Sequence, residues 1–188
     1  MSTNHNRQHD ITTFRIIEIW INRAHSLKEA AEVFWKSYEQ ITRFTPAMHS
    51  LEIERTLREE AAVARSGLNM TYLYLATFAV QQLATGILTA RNPRRYLPPQ
   101  LECQFILLIE ECGAKLSPEQ KRLLQAIENS RAWQRLYPDM PHPLPKNIER
   151  ILNRQCSAPC VVTEKEHEQL NQLFEQLLRL AYLLNEQT

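Results

Sequence analysis

Residues 69–92, NMTYLYLATFAVQQLATGILTARN, carry no charge until Arg91, and their apolar positions cover more than one helical stripe. Met70, Leu73, Phe78, Val80, Leu83, Ile87 and Ala90 spread around the axis, while Ala76, Ala79, Ala84 and Gly86 leave room for other helices to approach. The pattern predicts a central helix buried on nearly every side. A membrane span competes with this reading on length alone. Gln81 and Gln82 at mid-run, with threonines scattered along it, favour the core of a bundle, because unpaired amides are costly in lipid.

Around this run the hydrophobic period of 3.6 recurs. Thr12 or Thr13 can cap a first helix, FRIIEIWINRA, with Phe14, Ile17, Ile21 and Ala24 on one face. Ser26 to Glu29 reads as a capping box opening a second helix, with Leu27, Ala31, Phe34, Tyr38 and Ile41 aligned and Glu32 paired with Lys36 outside. Phe44-Thr45-Pro46 ends it. A third helix follows, with Glu54 and Arg58 one turn apart and Gly67 at its C-terminus. After the central helix and a loop through Pro98-Pro99, QLECQFILLIEEC predicts a shorter buried helix stopped by Gly113.

Ser117-Pro118-Glu119-Gln120 combines a cap, a proline at the first helical position and the glutamine that completes the box, so a helix is expected from there to about Leu136. Tyr137 to Pro145 holds four prolines and reads as an extended connector. KNIERILNRQ is a short helix. Thr163 to Glu166 forms the last capping box, and it opens a helix with Leu170, Leu173, Phe174, Leu177, Ala181 and Leu184 on a wide apolar face.

The expected fold is therefore all-α: a single up-and-down bundle of about seven helices with a proline-rich connector. Residues 1–10 read as a polar tail and 11–188 as one helical domain, divided into an extension at about 11–67 and a core at about 69–188.

Charge adds little to this picture. The formal net charge of +1 advertises neither nucleic acid nor a membrane surface, although the first half is slightly the more basic. The first ten residues lack the apolar stretch of a signal peptide, which points to the cytoplasm and to four cysteines held as thiols. Cys103 and Cys112 read as small buried hydrophobes. Cys156 and Cys160 would need His142 and His167 to complete a zinc site, a spacing unlike the usual pairs, so no metal is expected. Gly-rich phosphate loops, HExxH, Gly-x-Ser-x-Gly and Asp-rich metal motifs are missing from the sequence, and no cofactor is implied.

Two stretches, YLYLATFAVQQLATGILTARNP and LSPEQKRLLQAIENSRAWQRLYPDMP, resemble the HEPN superfamily of small prokaryotic helical-bundle proteins in toxin, defence and nucleotide-handling systems. The resemblance covers about residues 69–145. It implies a four- or five-helix bundle, usually dimeric, and in active members a metal-independent ribonuclease with an Arg-x4-6-His motif. In that motif histidine moves the proton of the ribose hydroxyl and arginine faces the charge on phosphate. Arg135 with His142 has this spacing, and Arg43 with His49 is the second candidate pair. The last helix offers only His167, with no arginine at the motif distance.

Arg91, Arg94 and Arg95 are candidate phosphate ligands, with helix-end neutralisation as the plainer role for the first. Trp20, Trp35 and Trp133 fall in apolar helical patterns and read as core or interface anchors. Leu173, Phe174, Leu177, Leu180 and Leu184 are the expected interface of a homodimer. Two functional expectations follow: an RNA-associated, defence-type HEPN-like protein whose nuclease centre is degenerate, or a non-catalytic adaptor that binds another protein, one encoded nearby.

Overall fold

The computed structural model describes residues 3–43, 51–93, 104–128 and 162–186, with side-chain environments from residue 17 in the first helix and residue 60 in the second. These residues form five helices: α1 (Thr3–Arg43), α2 (Leu51–Arg91), α3 (Phe105–Glu111), α4 (Pro118–Glu128) and α5 (Glu164–Glu186). No strand occurs among the described residues, so the all-α expectation holds. The proline connector at 137–145, the short helix expected after it, Cys103, Trp133, Cys156 and Cys160 lie outside the described residues.

Two expected helix breaks are absent. The first and second helices are one, α1, and the supposed polar tail from Thr3 onward is its first turns. Ser26 caps nothing: its hydroxyl donates 3.0 Å back to the Asn22 carbonyl, as a serine inside a helix does. Continuity comes from the stripe beneath it. Ile17, Ile21, Ala24, Ala31 and Trp35 are all buried, and they keep one face across Ser26 at alternating spacings of about three and four. Glu32 is likewise not paired with Lys36; Lys28 Nζ sits 3.2 Å from its Oε1.

Gly67 ends no helix either, since α2 runs through it. A methyl group at Gly67 would meet nothing within 4 Å, so the glycine is an exposed weak point in the helix. Past it the helix changes character. Residues 60–68 are exposed or half-buried, whereas from Asn69 to Ala90 most positions are buried. Leu83, Ala84, Ala79 and Ile87 lose essentially all contact with solvent, as the charge-free run predicts.

The segment Glu60–Arg91 is long and apolar enough to cross a membrane by length and composition, but 72% of its most apolar window is buried inside the bundle. Much of that cover is α1, which runs antiparallel to α2. The two pack so closely that a Cβ at Gly86 would collide with Trp20 Cβ.

The shorter helices are set by their ends. α3 begins at Phe105, later than its apolar run suggests, and closes in a Schellman motif: Ala114 N–H reaches the Ile109 carbonyl and Gly113 N–H the Glu110 carbonyl, with Gly113 at φ +82°. α4 has the expected box, with Gln120 N–H on Ser117 Oγ at 3.1 Å and Ser117 N–H on Gln120 Oε1 at 2.9 Å. Its continuation towards Leu136 lies outside the described residues. α5 opens as expected, with Thr163 N–H donating to Glu166 Oε2 at 2.9 Å and the Thr163 hydroxyl bound to the same oxygen.

Candidate functional site

The first turns of α5 dock where α1 and α2 lie side by side, and two polar devices fix them there. Asn69, buried in α2, uses both ends of its amide on one backbone unit: Nδ2 donates to the Val162 carbonyl at 3.1 Å, and Oδ1 accepts the Val162 N–H at 3.0 Å. A buried amide satisfied in this way stands in for a strand partner and fixes the entry of α5.

One turn into α5, His167 turns towards α1 and α2. Its imidazole lies flat on Trp35, with centroids 4.4 Å apart and planes 5° apart, and Tyr72 closes in at 5.3 Å. Nε2 is 3.2 Å from both carboxylate oxygens of Glu32 and 3.2 Å from Asn171 Nδ2. The side chain of His167 is 15% exposed and that of Glu32 27%.

Electrostatics follow from this packing. Burial pushes the Glu32 carboxyl up, but the His167 and Lys28 charges and hydrogen bonds outweigh it and hold the group below the ordinary carboxylate range. Tyr72 is 1% exposed, and its hydroxyl finds no hydrogen-bond partner among the described residues. Burial, helped by the nearby Glu32 charge, pushes that phenol far up, so it stays protonated.

A histidine oriented by a carboxylate is the raw material of general acid–base catalysis. Here the nitrogen that meets the carboxylate is tied inward and one ring face is covered by Trp35, so the pair acts as a joint between helices. Its open edge meets a groove of about 690 Å³ along α5, lined by Glu164, Glu168, Asn171, Glu175 and Arg179 among others. No group of three or more metal-ligating side chains occurs among the described residues.

The joint escapes a reading of the sequence because Glu32 and His167 stand 135 positions apart. The available signal is Glu32's place beside the stripe that carries Ala31 and Trp35, where a carboxylate at an apolar seam calls for a partner.

The residues singled out from sequence fare unevenly. Arg135, His142, His49, Arg94 and Arg95 lie outside the described residues. Arg43 is the last residue of α1, with its guanidinium 3.7 Å from Glu39, an exposed pair one turn back. Arg91 closes α2 and reaches across to α3, where Nη1 donates to the Glu111 carbonyl at 3.4 Å. This is the helix-end role, exercised on a neighbouring helix. Leu173, Phe174 and Leu177 are buried within this chain's own core, and Leu180 and Leu184 pack partly buried against it. The breadth of that face is therefore explained by α5's own position in the bundle.

Trp35 is an anchor as expected, and Trp20 fills the space over Gly86. Cys112 is fully buried, its thiol 3.3 Å from the Ala84 carbonyl and 3.2 Å from that of Leu108; burial pushes it up to about 12. No family model matches the chain, and neither does any curated protein or solved structure.

Proposed function

We propose that this chain is a helical protein-interaction module, which presents the α1–α2 hairpin to a helix of another chain. The observation that carries this reading is the overhang of α2. Its 41 residues span about 60 Å at 1.5 Å per residue, whereas the 23 of α5 span about 35 Å. α5 docks from Asn69 onward, so α2 extends beyond α5. In that overhang Ala62, Val63, Ala64, Ser66 and Gly67 are exposed, Val63 at 74%. Small side chains around a branched apolar one form a surface that a partner helix can approach closely.

Complex formation, read by light scattering of the purified chain alone and with the product of a neighbouring gene, tests the proposal. Assembly lost in Val63→Lys supports it, and self-association would identify the partner helix as a second copy. The same preparation is assayed for chelator-insensitive cleavage of single-stranded RNA. Cleavage abolished in Arg135→Ala and in His142→Ala, with no Val63-dependent assembly, would replace this reading with the HEPN-like ribonuclease that the sequence resemblance implies.

A further inference from the structure

The α1–α2 hairpin loses its cover at one level in both helices. Trp35 is the last buried residue of α1 and Asn69 the first buried residue among those described in α2. Beyond them, residues 36–43 and 60–68 are all exposed or half-buried. Trp20 stands against Gly86 and the Trp35 ring meets Tyr72 at 5.2 Å, so the antiparallel register brings residues 36–43 beside the stretch around Gly67. We propose that this end of the hairpin is a hinged arm, which bends at the level of Gly67 while the rest of α1 and α2 stays fixed in the bundle.

Three features place the hinge. Ser66-Gly67 is the kind of pair at which helices kink, and a Cβ at Gly67 would touch nothing, so no packing holds the backbone straight there. Just past it, Thr71 Oγ1 donates to the Gly67 carbonyl at 2.9 Å. On α1, Ser37 Oγ donates to the Val33 carbonyl at 2.9 Å and Thr42 Oγ1 to that of Tyr38 at 2.8 Å. Such bonds compete with the helical ladder and bend helices, and all three are exposed. Thr77 makes the same bond to Leu73 inside the core, where neighbouring helices hold α2 in place. Third, Asn69 clamps α2 to Val162 two residues after the glycine, which fixes the core side of the hinge.

The charged groups of the arm do not brace it. Arg43 pairs with Glu39 one turn back on α1, and Arg65 Nε donates to the Ala61 carbonyl of α2, so these contacts stay within single helices. The arm is also a lever. From Leu51 to Gly67 α2 runs about 24 Å at 1.5 Å per residue, so a bend of about 20° carries its far end through about 8 Å. On the docking reading above, on which this consequence alone rests, the bend lets Val63 follow partner helices that cross α2 at different angles.

Residual dipolar couplings of backbone amides, measured by NMR on the full chain weakly aligned in solution, report the bend. They are measured on Val63→Lys, in which the proposed docking is disabled, so the result does not depend on that reading. Couplings from residues 38–43 and 60–66 are expected to be scaled down relative to those from 17–35 and 69–90, which share one alignment. Gly67→Ala, made in the same chain, is expected to cut the bent population about two- to fivefold, the gain of alanine over glycine within a helix. The couplings of the arm then rise towards those of the core.

Couplings of the arm that fit the core's alignment at full scale overturn the proposal. So do reduced couplings that Gly67→Ala leaves unchanged, because the arm then frays along its length instead of pivoting at the glycine.

Discussion

At the scale of single residues, the two helical glycines of α2 are opposites despite sharing one helix. A methyl at Gly67 enters open space, and one at Gly86 collides with Trp20. Gly67→Ala is therefore expected to stabilise the fold by about 0.5 to 1 kcal/mol, the ordinary helical gain over glycine. Gly86→Ala earns the same propensity but forces α1 off α2, at a cost of about 1 to 3 kcal/mol for overpacking a tight core. Urea denaturation midpoints that move in opposite directions for the two variants would verify this. Equal shifts would mean that α1 does not lie against Gly86. The sequence makes Gly86 readable as a point of close approach, because alanines surround it, but it gives Gly67 every mark of a stop. What it could not display is that nothing near Gly67 needs the chain to turn.

Among elements, the capping boxes at Ser117 and Thr163 are legible from sequence and the one at Ser26 is not, for the same physical reason. A cap decides a helix start only where the apolar stripe on its two sides does not already agree in phase. Before Ser117 the chain has just turned out of α3 at Gly113, but around Ser26 the buried positions from Ile17 to Trp35 continue without a slip. The in-phase stripe outweighs the box, and α1 runs through Ser26 unbroken. The start of α3 is harder to read from sequence, because it is capped from another helix: Glu128, the last described residue of α4, accepts the Ile106 N–H at 3.2 Å.

Burial raises the Glu128 carboxyl above its ordinary 4.5, overriding the backbone hydrogen bonds from Ile106 and Phe105 that lower it. A raised carboxyl contributes stability that is fully present below pH 4.5 and is lost as pH rises through the raised value. Glu128→Gln keeps an acceptor oxygen without the charge, so it is expected to be more stable than the wild type at pH 7, with the advantage shrinking as the pH falls below 4.5. Thermal melts of both proteins at the two pH values are the check.

For the whole molecule, α5 is fastened to the hairpin by Asn69 and by the His167–Glu32 joint, two polar contacts that no local pattern announces. Asn69→Ala leaves the Val162 N–H and carbonyl without the amide that serves both, and is expected to cost about 1 to 3 kcal/mol. Local loss of protection in the first turns of α5, ahead of the α1–α2 hairpin, would mark the fastening as the site of damage. Uniform loss across all helices would argue against it.

Glu32 adds an acid limit. Its depressed carboxyl supplies stability above the ordinary 4.5 that disappears as pH falls through the lowered value. Glu32→Gln should flatten that acid limb in a pH-dependent denaturation series. The bundle's class and its most buried helix can be read from one sequence because both depend on local periodicity. The polar fastenings depend on residues about 93 and 135 positions apart, and no single-sequence pattern pairs them.

The burial of α2 also has a consequence during synthesis. Roughly 70 residues separate the end of α2 from the start of α5, and at about 5 to 20 residues per second a ribosome needs some 4 to 15 s to make them. Throughout that interval the most membrane-like segment among the described residues has α1, made before it, as its earliest cover, and the helix that later seats Phe174 and Leu177 does not yet exist. α1 thus acquires a second use. As the partner made first, α1 is in place to pack against the nascent α2 before α5 exists.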